Sequence, residues 1–136
     1  YTDIQAEIGL ALLKNLWMRD EQRIKNFKLL FNNLSTKAQS HLPLTLPETK
    51  NVFWRLPFLS AEPKNFKKYL LANQIDASQT NLVLANALPV FKEFLGAPAP
   101  NAELAHQTVF VPLHSSFNQK EIIRLAEVLN NYVKTA

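Results

Sequence analysis

The chain has 136 residues, 47% of them hydrophobic and 19% charged, with a formal net charge of +4 and no cysteine. A chain of this length buries roughly two-thirds of its unfolded surface, so one soluble domain with a real core is expected, and disulfide and thiolate chemistry are excluded. Only Gly9 and Gly96 occur, which removes enzymes that cradle phosphate in a glycine-rich loop, and no apolar run approaches the ~20 residues of a membrane-spanning helix.

The first element announces itself at Thr2 to Gln5, "TDIQ", where the Thr and Gln spacing fits a capping box and a helix should begin near Ile4. Apolar residues then recur at Ala6, Leu10, Leu13, Leu16 or Trp17, Ile24, Phe27, Leu30 or Phe31 and Leu34. That interval of three to four predicts one buried stripe on a long helix over about 4–33, with a bend near Arg19 and Asp20. Gly9 within it costs about 1 kcal/mol against alanine; close packing of another group there and a neutral helix glycine are both open.

"HLPLTLPE" is a proline connection, and "NVFWRLPFLS" reads as a strand from about Val52 to Leu59. Pro57 argues for an edge position, because proline donates nothing to a sheet ladder. Pro63 falls at the first turn of a short amphipathic helix that ends near Asn73. "QIDASQT" is a second candidate strand, "LPVFKEFL" a short helical stretch closed by Gly96, and Ala102 to His106 another short helix. "TVFVPL" gives the third strand. Asn118, with Glu121 three residues on, caps a last helix whose Ile122, Leu125, Leu129 and Val133 share one face.

The basic residues form modest clusters at Lys64, Lys67 and Lys68 and along Arg19, Arg23, Lys25 and Lys28, interrupted by acids. A nucleic-acid groove wants basic residues alternating with exposed aromatics, whereas Trp17, Phe27 and Phe31 fall on the apolar helix face. Neither nucleic acid nor membrane is expected as a partner. The three histidines, His41, His106 and His114, lack the spacing of a helical metal site, so no metal is expected. Glu103, Glu121 and Glu127 have simpler roles at helix starts and solvent faces than as paired catalytic carboxylates. In "HSSFNQKEII" the Ser116, Phe117 and Lys120 spacing imitates a cofactor-lysine motif. A Schiff-base lysine must be held unprotonated in a pocket, however, and Lys120 stands in a solvated first helical turn.

Three stretches, covering nearly the whole chain, resemble the C-terminal part of the DegT/DnrJ/EryC1/StrS family of pyridoxal-phosphate-dependent sugar aminotransferases. "TDIQAEIGLALLKNL" is similar to the family's helix through Thr2, Asp3, Gln5, Ala6, Gly9 and Leu13. "FWRLPFLS" with "FKKYLLANQID" resembles its strand and following helix, with Arg55 where histidine is common and Gln74 where glycine is common. "PNAELAHQTVFVPLH", with the helix after it, matches through Pro100, Asn101, Ala102, Glu103, Pro112, Leu113 and His114.

The resemblance implies an α/β (α+β) architecture, the small C-terminal domain of a fold type I aminotransferase. A small, largely antiparallel sheet of about three strands would be packed by helices and entered by the long N-terminal helix. It implies transfer of an amino group from an amino acid to a nucleotide-linked keto-sugar, a homodimer, and pyridoxal phosphate bound by a large domain that these 136 residues lack; the absence of cysteine suits a cytoplasmic location. On that basis no catalytic or cofactor-binding residue lies in this chain, no cofactor is expected for it alone, and its partners are its own large domain and a second copy. Trp54, Arg55 and His114, at strand ends that face the cleft in the family, are the substrate-proximal candidates. The competing reading is a non-enzymatic interaction or dimerisation module that keeps this fold.

Overall fold

The computed structural model describes residues 2–79, 88–94 and 104–135. The capping box at the start is formed: the Gln5 N–H donates to Thr2 Oγ1 at 3.3 Å and the Thr2 N–H to Gln5 Oε1 at 3.0 Å. The entering helix is present as two segments, α1 (Asp3–Leu13) and α2 (Leu16–Asn33), so the bend lies at Lys14 and Asn15 rather than near Arg19 and Asp20. Asn15 leaves helical geometry there (φ −106°, ψ 4°). Its N–H bonds the Leu12 carbonyl three residues back, a tightened last turn of the kind that ends helices. A short α3 (Thr36–Gln39) follows, with Ser35 Oγ accepting from the Ala38 N–H.

The predicted buried stripe needs correction. Leu30 and Leu34 are in the core, but α1 contains no buried residue and Trp17 is 76% exposed. Apolar spacing decides which residues share a helix face, while burial needs a second surface against that face, and no described residue buries this one. Among the described residues a Cβ at Gly9 would meet nothing within 4 Å, so against them that glycine is the neutral kind.

Strands β1 (Arg55–Leu59), β2 (Ser78–Gln79) and β3 (Thr108–Pro112) form one antiparallel sheet in the spatial order β1-β3-β2. β1 is an edge strand, as Pro57 requires, and begins three residues later than expected. Leu56 lies opposite Val111 and Phe58 opposite Val109, and all four are fully buried. The alternate residues Arg55, Pro57, Phe110 and Pro112 therefore share the other face. The buried face joins one apolar cluster with Leu30 and Leu34 of α2, Phe66 and Leu70 of α4 (Pro63–Ala72), and the stripe of α5 (Gln119–Thr135). In α5 the expected Ile122, Leu125, Leu129 and Val133 are all buried. Its start is the expected reciprocal cap, with the Glu121 N–H donating to Asn118 Oδ1 at 3.1 Å and the Asn118 N–H to Glu121 Oε2 at 2.7 Å.

The second strand keeps only the end of the predicted Gln74–Thr80 segment; Thr80 lies outside the described residues. Gln74 instead closes α4 with φ 61°. Its N–H bonds the Leu71 carbonyl and the Ile75 N–H bonds the Leu70 carbonyl, the paired bonds of a Schellman cap. The two short helices expected after β2 are 3-10 turns, Pro89–Phe94 and Leu104–Gln107, since segments this short rarely sustain an α-helix. Gly96, Ala102 and Glu103 lie outside the described residues. No described helix is long and apolar enough to cross a membrane.

Candidate functional site

Pleating places Arg55, the first residue of β1, opposite Pro112 at the end of β3 on the face of the sheet away from the core. Trp54 precedes it and His114 lies two residues beyond Pro112, so the strand ends bring all three predicted residues to one cleft of about 360 Å³, with Ser78 of β2 and Asp76 from the segment before it. Trp54 is 65% exposed, so it is not a core residue. The Arg55 guanidinium lies 4.6 Å from the centre of the Trp54 ring, a cation–π contact that restrains both side chains. Arg55 Nη1 donates to Ser78 Oγ at 3.1 Å. The neutral partner leaves the charge of the guanidinium uncompensated at that contact.

His114 is held by the turn that follows it. Its Nδ1 stands 2.7 Å from Ser116 Oγ and 3.2 Å from the Ser116 backbone nitrogen. A backbone N–H can only donate, so Nδ1 accepts, and the neutral ring carries its proton on Nε2. The turn bearing it is pinned from below by Asn26 of α2, a buried polar side chain that periodicity alone did not flag. Asn26 Nδ2 donates to the His114 carbonyl at 2.8 Å, and Asn26 Oδ1 accepts from Gln22 Nε2 at 2.9 Å. The signal was present in the sequence: Asn26 falls on the same helix face as Leu30 and Leu34, at intervals of four.

His41 has the opposite arrangement. Its Nδ1 faces the Leu59 carbonyl at 2.7 Å, so it donates, and the ring stacks on Phe58 with centroids 5.1 Å apart. That spends the histidine on the loop before β1. Among the described residues no group of three His, Asp or Glu could hold a metal.

Pyridoxal phosphate requires a lysine beside its ring, an acid against the pyridine nitrogen and donors around its phosphate. Every lysine whose side chain is described is exposed, Lys120 among them, and none lines the Trp54–Arg55–His114 cleft. The described residues do not fit that cofactor. What this cleft offers a ligand is one guanidinium, an indole face, an imidazole N–H and the Asp76 carboxylate, a set suited to binding and orienting a polar molecule.

The model of the DegT/DnrJ/EryC1/StrS aminotransferase family matches residues 1–130. Among solved structures, a DegT DnrJ EryC1 StrS aminotransferase from Brucella abortus superposes with a TM-score of 0.74 at 16% identity, covering 90% of this chain and 33% of that one. PseC of Helicobacter pylori, an aminotransferase involved in the biosynthesis of pseudoaminic acid, gives 0.75 at 18% identity, covering 98% and 38%. A sugar aminotransferase from Micromonospora echinospora gives 0.71 at 16%, covering 91% and 33%. No curated protein matches the sequence. The chain spans about a third of the length of these structures, and at such identities the likeness is one of fold.

Proposed function

This chain belongs to the DegT/DnrJ/EryC1/StrS aminotransferase family, and from that premise we propose that it is the small C-terminal domain of a pyridoxal-phosphate-dependent enzyme. That enzyme moves an amino group from an amino acid to a nucleotide-linked keto-sugar, a step in making amino sugars for surface polysaccharide or lipopolysaccharide. The cofactor, bound by the large domain, would supply the carrier for the amino group. The role of these 136 residues is to bind and orient the substrate, and the chain alone is inactive.

The observation that carries this reading is the convergence of Trp54, Arg55 and His114 in one cleft at the strand ends. Trp54 offers a flat apolar surface to a sugar or base ring, Arg55 a fixed positive charge to a carboxylate or phosphate, and His114 an N–H donor. The exposed apolar residues of α1, such as Ile4 and Ile8, are the surface this domain would turn toward its large domain or a homodimer partner. The same helix face supports the second reading, a non-enzymatic interaction module; recovery of an unrelated protein as a stoichiometric partner would favour it.

The coding sequence upstream of Tyr1 provides the test. An in-frame large domain with a cofactor lysine is expected, and a natural start codon at that point contradicts the proposal. On the chain itself, pyridoxal phosphate followed by borohydride should give no adduct at Lys120 beyond that at other exposed lysines. Selective, stoichiometric trapping there overturns the assignment of the chemistry to another domain.

A further inference from the structure

All four arginines of the chain, Arg19, Arg23, Arg55 and Arg124, line clefts around the end of β3 and the turn into α5, and no lysine lines those clefts among the described residues. The largest of them, about 610 Å³, lies between α2 and that turn and meets the Trp54–Arg55 cleft only at His114, which lines both. Arg19 and Arg23 are four residues apart on α2, so their side chains share one side of the helix, where like charges repel unless something negative lies between them. Asp20 relieves this only in part, meeting Arg23 Nη1 at 3.3 Å. Arg23 Nε is buried with no hydrogen-bond partner among the described residues, a cost the fold recovers only if an acceptor reaches it. The opposite wall carries His114, Ser115 and Ser116, held in place by Asn26 beneath the turn.

From these features we propose that the cleft between α2 and the β3–α5 turn is a binding site for a phosphate group on a small molecule. Two guanidinium forks on one wall and, on the other, the Ser115 hydroxyl and the His114 imidazole donor, with the Ser116 hydroxyl given to His114 Nδ1, approach from different sides. That suits the several oxygens of a tetrahedral phosphate better than a planar carboxylate, which a single arginine saturates. The volume is within the range of small-molecule sites. The site goes beyond the aminotransferase reading and is tested without cofactor or sugar, so either can fail while the other stands.

The probe is inorganic pyrophosphate, titrated into the chain at low salt and followed by backbone amide chemical shifts. Saturable shifts are expected at Arg19, Arg23, Ser115 and Ser116. Arg19→Gln, an exposed change that leaves the fold intact, should weaken binding by about tenfold, and Arg19→Lys by less, since it keeps the charge but loses the fork. Lys64→Gln, on α4, serves as the surface-charge control and should leave the affinity unchanged. Glutarate, a dicarboxylate, should bind at least about tenfold more weakly than pyrophosphate. The proposal is overturned by absence of saturable shifts at these residues, by equal loss of affinity in Arg19→Gln and Lys64→Gln, or by glutarate binding as tightly as pyrophosphate.

Discussion

Helices α1 and α5 carry apolar residues at the same spacing of three to four, and their faces meet opposite fates. In α5, Ile122, Leu125, Leu129 and Val133 are buried against the sheet and α2, whereas Ala6, Leu10 and Leu13 of α1 are all exposed. Periodicity reports that a helix has an apolar side. Whether the chain itself supplies the surface that side needs is a separate fact, decided by tertiary structure. Here the part of the molecule from Asn26 onward closes its own core and the first three turns do not take part in it.

Substitutions in the two helices separate these roles most sharply. Leu129→Ala removes a fully buried side chain and should cost about 3 kcal/mol in urea unfolding, since large-to-small core changes fall near that value. Ile8→Ala on α1 should change the same transition by less than about 0.5 kcal/mol, and equal losses would erase the contrast. At Asn26, where α2 passes from the exposed region into the core, alanine should cost about 2 kcal/mol, because the His114 carbonyl loses its buried donor. If that bond also fixes the turn, amide shifts at Ser115 and Ser116 should move in Asn26→Ala while those in α4 stay. One substitution should be a gain: Gln74→Gly should stabilise the chain by about 0.5–1 kcal/mol, since a side chain in the left-handed region is strained and glycine is not.

Much of the self-contained part was legible before the structure. Asn118 and Glu121 at the right interval, the α5 stripe, Pro57 on an edge strand and the β-branched run of β3 each state a local rule that tertiary packing does not contradict. Trp54, Arg55 and His114 were placed by family resemblance, and their convergence follows from an antiparallel register that sets residue 55 opposite residue 112. The break at Lys14 and Asn15 carried no such mark, because neither residue is a glycine or proline and both are tolerated inside helices. The end of α4 was expected near Asn73 and the helix closes there; only the left-handed cap at Gln74 went unread, because the residue that best fits it is glycine. The exposure of α1 was unreadable in principle, since its pattern is that of a buried helix.

Amide hydrogen exchange resolved along the chain tests the central contrast directly. The amides of α5 should exchange only through global unfolding. Those of α1 should exchange at least about 100-fold faster, because helices without a packed face open locally at little cost. Protection of α1 equal to that of α5, in the same sample, would contradict the division of the molecule drawn here.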